Sequence, residues 1–133
     1  MHKITLQTVF SILFWALISF TTVVMLIELA PKQGGWPYWD KVQHATIFAV
    51  LTTLGTLALA NLAFRRNIAK ICIGLATYGA LIECLQSTLT MTRIASIGDW
   101  LADIVGIGIG LFLWILLIKN GPKTIKLYHD TRI

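Results

Sequence analysis

An acid, a base and a histidine stand together at the start of an otherwise apolar stretch, in the segment YWDKVQHATIF. Asp40 and His44 are four residues apart, so a helix would place them on one face. An imidazole beside a carboxylate is suited to general acid–base catalysis. Simpler roles are also open: Asp40 with Gln43 has capping-box spacing, Lys41 can anchor the helix at an interface, and His44 can be a packed histidine with satisfied hydrogen bonds.

A second polar pair, Glu83 and Gln86, has a three-residue spacing that also fits one helix face. A carboxylate inside an apolar span costs several kcal/mol unless it is paired, neutralised or hydrated. Glu83 is therefore a candidate for function or for structural pairing. Arg93 follows in the chain, and its planar guanidinium suits a carboxylate or a phosphate, although an ordinary surface cation would look the same.

The third polar stretch begins with Ser96 and Asp99, whose spacing is that of a helix-opening capping box. Asp103, Gly106 and Gly110 continue the same helical stripe. Two glycines four residues apart allow close approach of another helix. We expect this face to pack inside a bundle with its acids toward the interior, and the glycines also offer a route to oligomerisation.

The amino-acid composition indicates which kind of helix positions these residues. Of the 133 residues, 56% are hydrophobic and only 13% are charged, whereas ordinary globular chains carry about 25% charged residues. A soluble protein of this size cannot bury so much apolar surface, so an integral membrane protein is indicated. The apolar runs lack the alternation of a β-barrel. We predict one all-α domain over residues 1–133, a four-helix membrane bundle with helices at about 6–30, 41–64, 68–90 and 97–119.

The direction of the spans follows from the cations. Eight of the 11 lysines and arginines would lie on the side of the two termini and the loop between helices two and three. The positive-inside rule then places both termini in the cytoplasm. With a rise of about 1.5 Å per residue, Glu83 lies roughly 10 Å below the outer edge of the membrane core. The polar residues of helices two, three and four thus share one level near the outer face.

Several classes of partner and site are not expected. The net charge of +5 is explained by membrane orientation and by contact with anionic lipids, and no pattern indicates nucleic-acid binding. Cys72 and Cys84 fall in one helix, about 18 Å apart, too far to bridge. The carboxylates with His44 could hold a divalent metal through oxygen and imidazole, but their spacing matches no metal motif that we can name. A metal therefore receives little weight, and no cofactor is predicted.

The polar pattern resembles the VanZ-like family of small bacterial membrane proteins. The resemblance covers D40-K-V-x-H44-x3-F48, E83-x2-Q86 and R93-x2-S96-x2-D99-x3-D103-x2-G106-x3-G110, about half of the chain. By position it implies a signature set of Asp40, His44, Glu83, Gln86, Arg93, Ser96 and Asp99. Many relatives have asparagine where this chain has Asp103. The resemblance further implies a protein of the bacterial cytoplasmic membrane with a role at the cell envelope, either in teicoplanin resistance or in handling envelope lipids or glycans.

Three hypotheses follow. In the first, the protein is not an enzyme, and its polar core controls the access of an envelope amphiphile or a partner to the outer leaflet. In the second, it is a membrane enzyme acting on a lipid-linked phosphate or sugar. His44, Glu83 and Asp99 would be catalytic, with a binding set of Asp40, Lys41, Gln86, Arg93, Ser96 and Asp103. In the third, which is weaker, it is a proton-coupled transporter.

Overall fold

The described part of the chain is entirely helical in its regular structure, as predicted. The computed structural model describes residues 5–27, 36–59, 64–90 and 94–120. Within these ranges there are four helices: α1 at Leu6–Leu26, α2 at Trp39–Ala58, α3 at Phe64–Leu89 and α4 at Ile97–Asn120. Thr5 caps α1 by accepting a hydrogen bond from the Thr8 backbone N–H at 3.2 Å.

The boundary between the second and third helices differs from the prediction. The apolar run led us to extend the second helix to residue 64, but α2 ends at Ala58 and Phe64 opens α3. The last turn of α2 closes with a bond from the Leu59 N–H to the Gly55 carbonyl. Hydropathy alone could not locate this end, because apolar residues continue past it. Residues 28–30 and 60–63, which the predicted helices included, lie outside the described residues.

The side-chain contacts define the directions of the helices. Going along α2 from Lys41 to Thr53, its partners on α4 advance from Asp99 to Gly110, so α2 and α4 run parallel. The hydrogen bonds between α3 and α1 involve positions that increase together along the two helices, so α1 and α3 are also parallel. Adjacent helices in the chain alternate in direction, as in an up-and-down bundle.

Three of these helices are long and apolar enough to cross a membrane: Leu6–Leu26, Asn67–Leu89 within α3, and Ile97–Asn120. We expected four spans, but α2 is not apolar enough to be counted with the other three. The reason lies in its first turns, where Asp40, Lys41, Gln43 and His44 lower the mean hydropathy. Large apolar side chains are exposed along α1 and α4, among them Trp15, Phe20, Val105 and Phe112. Such a surface is typical of a protein solvated by lipid.

The core lies around α2. Phe48 and Leu51 are fully buried. They belong to one apolar cluster with residues from all three other helices: Met25, Ile71, Leu75, Ile82 and Ile107. A helix covered by its neighbours needs little lipid-facing apolar surface, which reconciles the position of α2 with its modest hydropathy.

Small residues bring α2 and α4 together. Gly106 packs against the backbone of Ala45, and Gly110 packs against Ala49 and Thr52. Thr53 Oγ1 adds a 3.2 Å hydrogen bond to the Gly110 carbonyl. The glycine stripe therefore packs against another helix, as predicted. Both glycines are buried inside the chain, and association of copies through them stays a prediction.

We predict that Gly106→Ala weakens the bundle, whereas Gly108→Ala does not. A Cβ at position 106 would lie 2.9 Å from Ala45 Cα, against backbone that cannot rotate away, whereas one at position 108 meets nothing within 4 Å. Overpacking of this kind costs about 1–3 kcal/mol. Equilibrium unfolding in mixed detergent micelles, followed by tryptophan fluorescence, gives the free energies. Equal effects at the two positions would contradict the close approach of α2 and α4.

Candidate functional site

Most of the predicted polar residues meet where α2 and α4 begin and α3 ends. At the centre, His44 Nδ1 lies 2.9 Å from Asp103 Oδ1. Both residues are almost fully buried, with 2% and 1% of their surfaces exposed. An ionised carboxylate can only accept a hydrogen bond, so an ionised Asp103 requires His44 to donate its Nδ1–H. This bond fixes the imidazole between two helices and leaves Nε2 as its other functional atom.

A second ion pair lies nearer the surface. Lys41 Nζ donates to Asp99 Oδ1 at 2.8 Å, and the two side chains are 41% and 13% exposed. The carboxylate of Asp99 favours the charged form of Lys41. Asp40, in the turn before His44, is exposed. The two pairs thus extend from the buried His44–Asp103 centre to the more exposed Lys41–Asp99 contact near the end of the bundle.

Glu83 is buried, with 5% of its surface exposed. Its Oε2 accepts a 2.7 Å bond from the Ser96 backbone N–H, which ties the end of α3 to the start of α4. Its Oε1 is buried and has no hydrogen-bond partner among the described residues. The carboxylate also interacts electrostatically with His44, Asp99 and Asp103. One oxygen of Glu83 is therefore structural, and the other is a buried acceptor without a hydrogen-bond donor among the described residues.

Three further predicted positions differ in their placement. Ser96 is the helix cap that its spacing indicated, since its Oγ accepts from the Asp99 N–H at 3.2 Å. Gln86 donates to the Met25 carbonyl at 2.8 Å, so its amide binds α1 instead of the Asp103–His44 centre. Arg93 lies outside the described residues. The structure thus supports a structural role for Gln86, which we had placed in a binding set.

Sequence reasoning missed Gly79. A Cβ at this position would lie 2.5 Å from Asp103 Oδ2 and 3.2 Å from Phe48 Cζ. The missing side chain is what lets the Asp103 carboxylate lie against α3 while it binds His44. The signal was present in the chain, because Gly79 precedes Glu83 by four residues and shares its helical face.

The structure also groups three residues with metal-ligand chemistry. Asp40, His44 and Asp99 each offer a ligand atom, and these atoms lie within 4.8 Å of one another. No metal motif is visible in the sequence because the ligands come from two helices, with Asp99 more than 50 positions after His44. Imidazole and carboxylate together suit divalent cations. The site can therefore bind a cation, accept hydrogen bonds at Glu83 and support acid–base chemistry at His44.

We predict strong coupling between His44 and Asp103. Replacing either residue alone by alanine leaves a buried polar group without its partner, which costs about 3–5 kcal/mol of unfolding free energy. The double variant should lose less than the sum, by about 0.5–3 kcal/mol. Thr46→Ala on the exposed face of α2 is the control and should change little. Additive losses, measured by the same unfolding assay, would mean that the two side chains are not paired.

Comparison with known proteins adds no further assignment: no family model, no curated protein and no solved structure matches the chain.

Proposed function

We propose that the chain is a VanZ-like protein of the bacterial cytoplasmic membrane that crosses the bilayer four times, with both termini in the cytoplasm. The parallel contact of α2 with α4 supports the fourth crossing. It extends from the Lys41–Asp99 pair to the Thr53–Gly110 bond, about 18 Å along α2 and about 17 Å along α4. If α4 spans the bilayer, α2 is carried through it at the same depth.

The orientation that we propose for the chain in the membrane rests on the distribution of its positive charges. Lys70 near the start of α3 and Lys119 at the end of α4 lie at the end of the bundle away from the polar site. The positive-inside rule assigns that end to the cytoplasm. The site then faces the outer leaflet and the cell envelope.

The activity that we propose is binding of the polar head group of an envelope amphiphile. A lipid-linked sugar is the class of ligand that we propose. The single observation that carries it is the buried Oε1 of Glu83, which has no partner among the described residues. An unsatisfied buried acceptor costs about 1–3 kcal/mol, more when it is charged. A hydroxyl or amine of a sugar head group would supply the missing donor. A role in teicoplanin resistance rests on the family resemblance alone.

One observation favours the enzyme hypothesis as a second candidate. The His44–Asp103 bond resembles the carboxylate–imidazole arrangement that orients a general base, and the free oxygen of Glu83 provides a second acid–base group. Both lie where a head group at the outer leaflet would enter. The reaction would be cleavage or transfer at a lipid-linked phosphate or sugar.

The transporter hypothesis receives less support. Thr52 and Thr56, deeper in α2, donate to carbonyls of their own helix at 2.8 Å. In the described ranges, α2 carries no titratable side chain beyond His44 toward its C-terminal end. A proton relay along this helix would therefore stop at the outer site.

We predict that reporters fused to the N-terminus and to the C-terminus lie on the same side of the membrane. Four crossings place the two ends together, whereas the three apolar spans alone would separate them. A fluorescent protein should fluoresce, and alkaline phosphatase should be inactive, at both ends. Phosphatase activity at one end only would remove α2 from the membrane-crossing helices.

We predict that the protein in lipid nanodiscs retains an undecaprenyl-linked sugar and that Glu83→Gln weakens this binding about tenfold or more, because a hydrogen bond to a charged group contributes about 1.5–3 kcal/mol. Native mass spectrometry gives the bound fraction. Cys84→Ser, at an exposed neighbouring position, is the matched control.

Unchanged binding in a folded Glu83→Gln protein would refute the proposed role of the free oxygen. If that variant does not fold, Glu83→Asp, which keeps the charge but shortens the reach, should still bind more weakly than wild type. Appearance of a cleaved head group with the wild type, and its loss in the variant, would favour the enzyme.

A further inference from the structure

The group formed by Asp40, His44 and Asp99 combines three donor atoms that transition metals prefer in mixed sites. One imidazole and two carboxylates come from the first turns of α2 and α4, and their ligand atoms lie within 4.8 Å of one another. Zinc bonds of about 2.0–2.2 Å would place such atoms roughly 3.3 Å apart in a tetrahedron. Asp40 is the exposed member of the three, so rotation of its side chain can shorten its distances to the other two ligand atoms.

The orientation of His44 matches that of a metal ligand. A ligating histidine almost always donates its other ring N–H to a carboxylate or a carbonyl, which fixes the tautomer. Asp103 provides this partner at 2.9 Å from Nδ1 and is 1% exposed. Gly79 in turn provides the space in which Asp103 lies. The supporting residues of a metal ligand are therefore present.

A separate argument for a cation comes from the charge balance of the site and from the buried carboxylate of Glu83. Among the described residues of the site there are four carboxylates against one lysine and one histidine: Asp40, Glu83, Asp99 and Asp103, with Lys41 and His44. The carboxylate of Glu83, which interacts with His44, Asp99 and Asp103, is buried with one oxygen lacking a described partner. An excess of carboxylates in a buried site needs compensating positive charge, which a bound cation would supply.

We propose that Asp40, His44 through Nε2, and Asp99 bind a divalent transition metal of the Zn²⁺ or Mn²⁺ class. This inference deepens the proposed function, since it concerns the same outward-facing site and rests on that assignment. The metal leaves coordination positions open, and these would receive the phosphate of a lipid-linked head group. Lys41, which binds Asp99 in the structure, competes with the metal for that carboxylate.

The test is metal binding to the full chain in nanodiscs, with any affinity tag removed. Zn²⁺ and Mn²⁺ are titrated by calorimetry, and bound metal is counted by mass spectrometry after dialysis. We expect one ion per chain, with binding weakened at least about 100-fold by His44→Gln or Asp99→Asn. Asp103→Asn should weaken it about 10–100-fold, as loss of an outer-shell partner does. Lys41→Gln should tighten it, because a competing cation is removed.

The controls separate this site from other imidazoles and from loss of fold. His2→Gln and His129→Gln should bind as wild type does, and tryptophan fluorescence should show every variant to be folded. Tighter binding by folded Lys41→Gln is a result that a purely structural cluster would not give. Absence of Zn²⁺ and Mn²⁺ binding, binding that His44→Gln leaves intact, or a preference for Mg²⁺ or Ca²⁺ would overturn the inference.

A parallel titration with the lipid-linked sugar in the presence of EDTA distinguishes the two proposals. Head-group binding that survives EDTA while metal binding is absent overturns the metal site alone. Metal binding without any retained head group supports the metal site and counts against the proposed ligand.

Discussion

The structure depends on one constraint, which is that charged side chains placed inside an apolar bundle must find partners on other helices. His44 and Asp103 satisfy it most fully, since they are almost completely buried and 2.9 Å apart. Neither helix can move away from the other without leaving a buried polar group unpaired, which is far more costly than breaking a surface contact. The Lys41–Asp99 pair and the bond from the Ser96 N–H to Glu83 add further links between these elements. Together they fix the relative positions of α2, α3 and α4 at one end of the bundle.

Glycines make this arrangement possible at the level of the backbone. Gly106 and Gly110 allow α4 to lie against Ala45 and Ala49 of α2, and Gly79 allows α3 to approach Asp103. Close approach places the acids of α4 within hydrogen-bond distance of the bases of α2. The stripe of two acids followed by two glycines thus acts as one unit: the glycines bring the helices together, and the acids give that contact its register.

Periodicity carried much of this information in the sequence. Spacing of three and four residues predicted which polar side chains share a face, and the helix rise predicted that His44, Glu83 and Asp103 reach a similar depth. Spacing could not predict partners on different helices, so the bond from Gln86 to Met25 and the grouping of Asp40 with Asp99 required the folded chain. Hydropathy was least informative for α2, because a helix enclosed by its neighbours is not selected for an apolar surface.

The measurement that tests the central pairing most directly is nitrogen-15 NMR of the His44 imidazole in lipid nanodiscs. Substitution of the other two histidines, His2 and His129, by glutamine leaves one imidazole to observe. The structure predicts a proton on Nδ1 that is hydrogen-bonded to a carboxylate, and a clear change of that resonance in Asp103→Asn. A neutral ring protonated on Nε2 alone, with a spectrum that Asp103→Asn does not alter, would contradict the pairing.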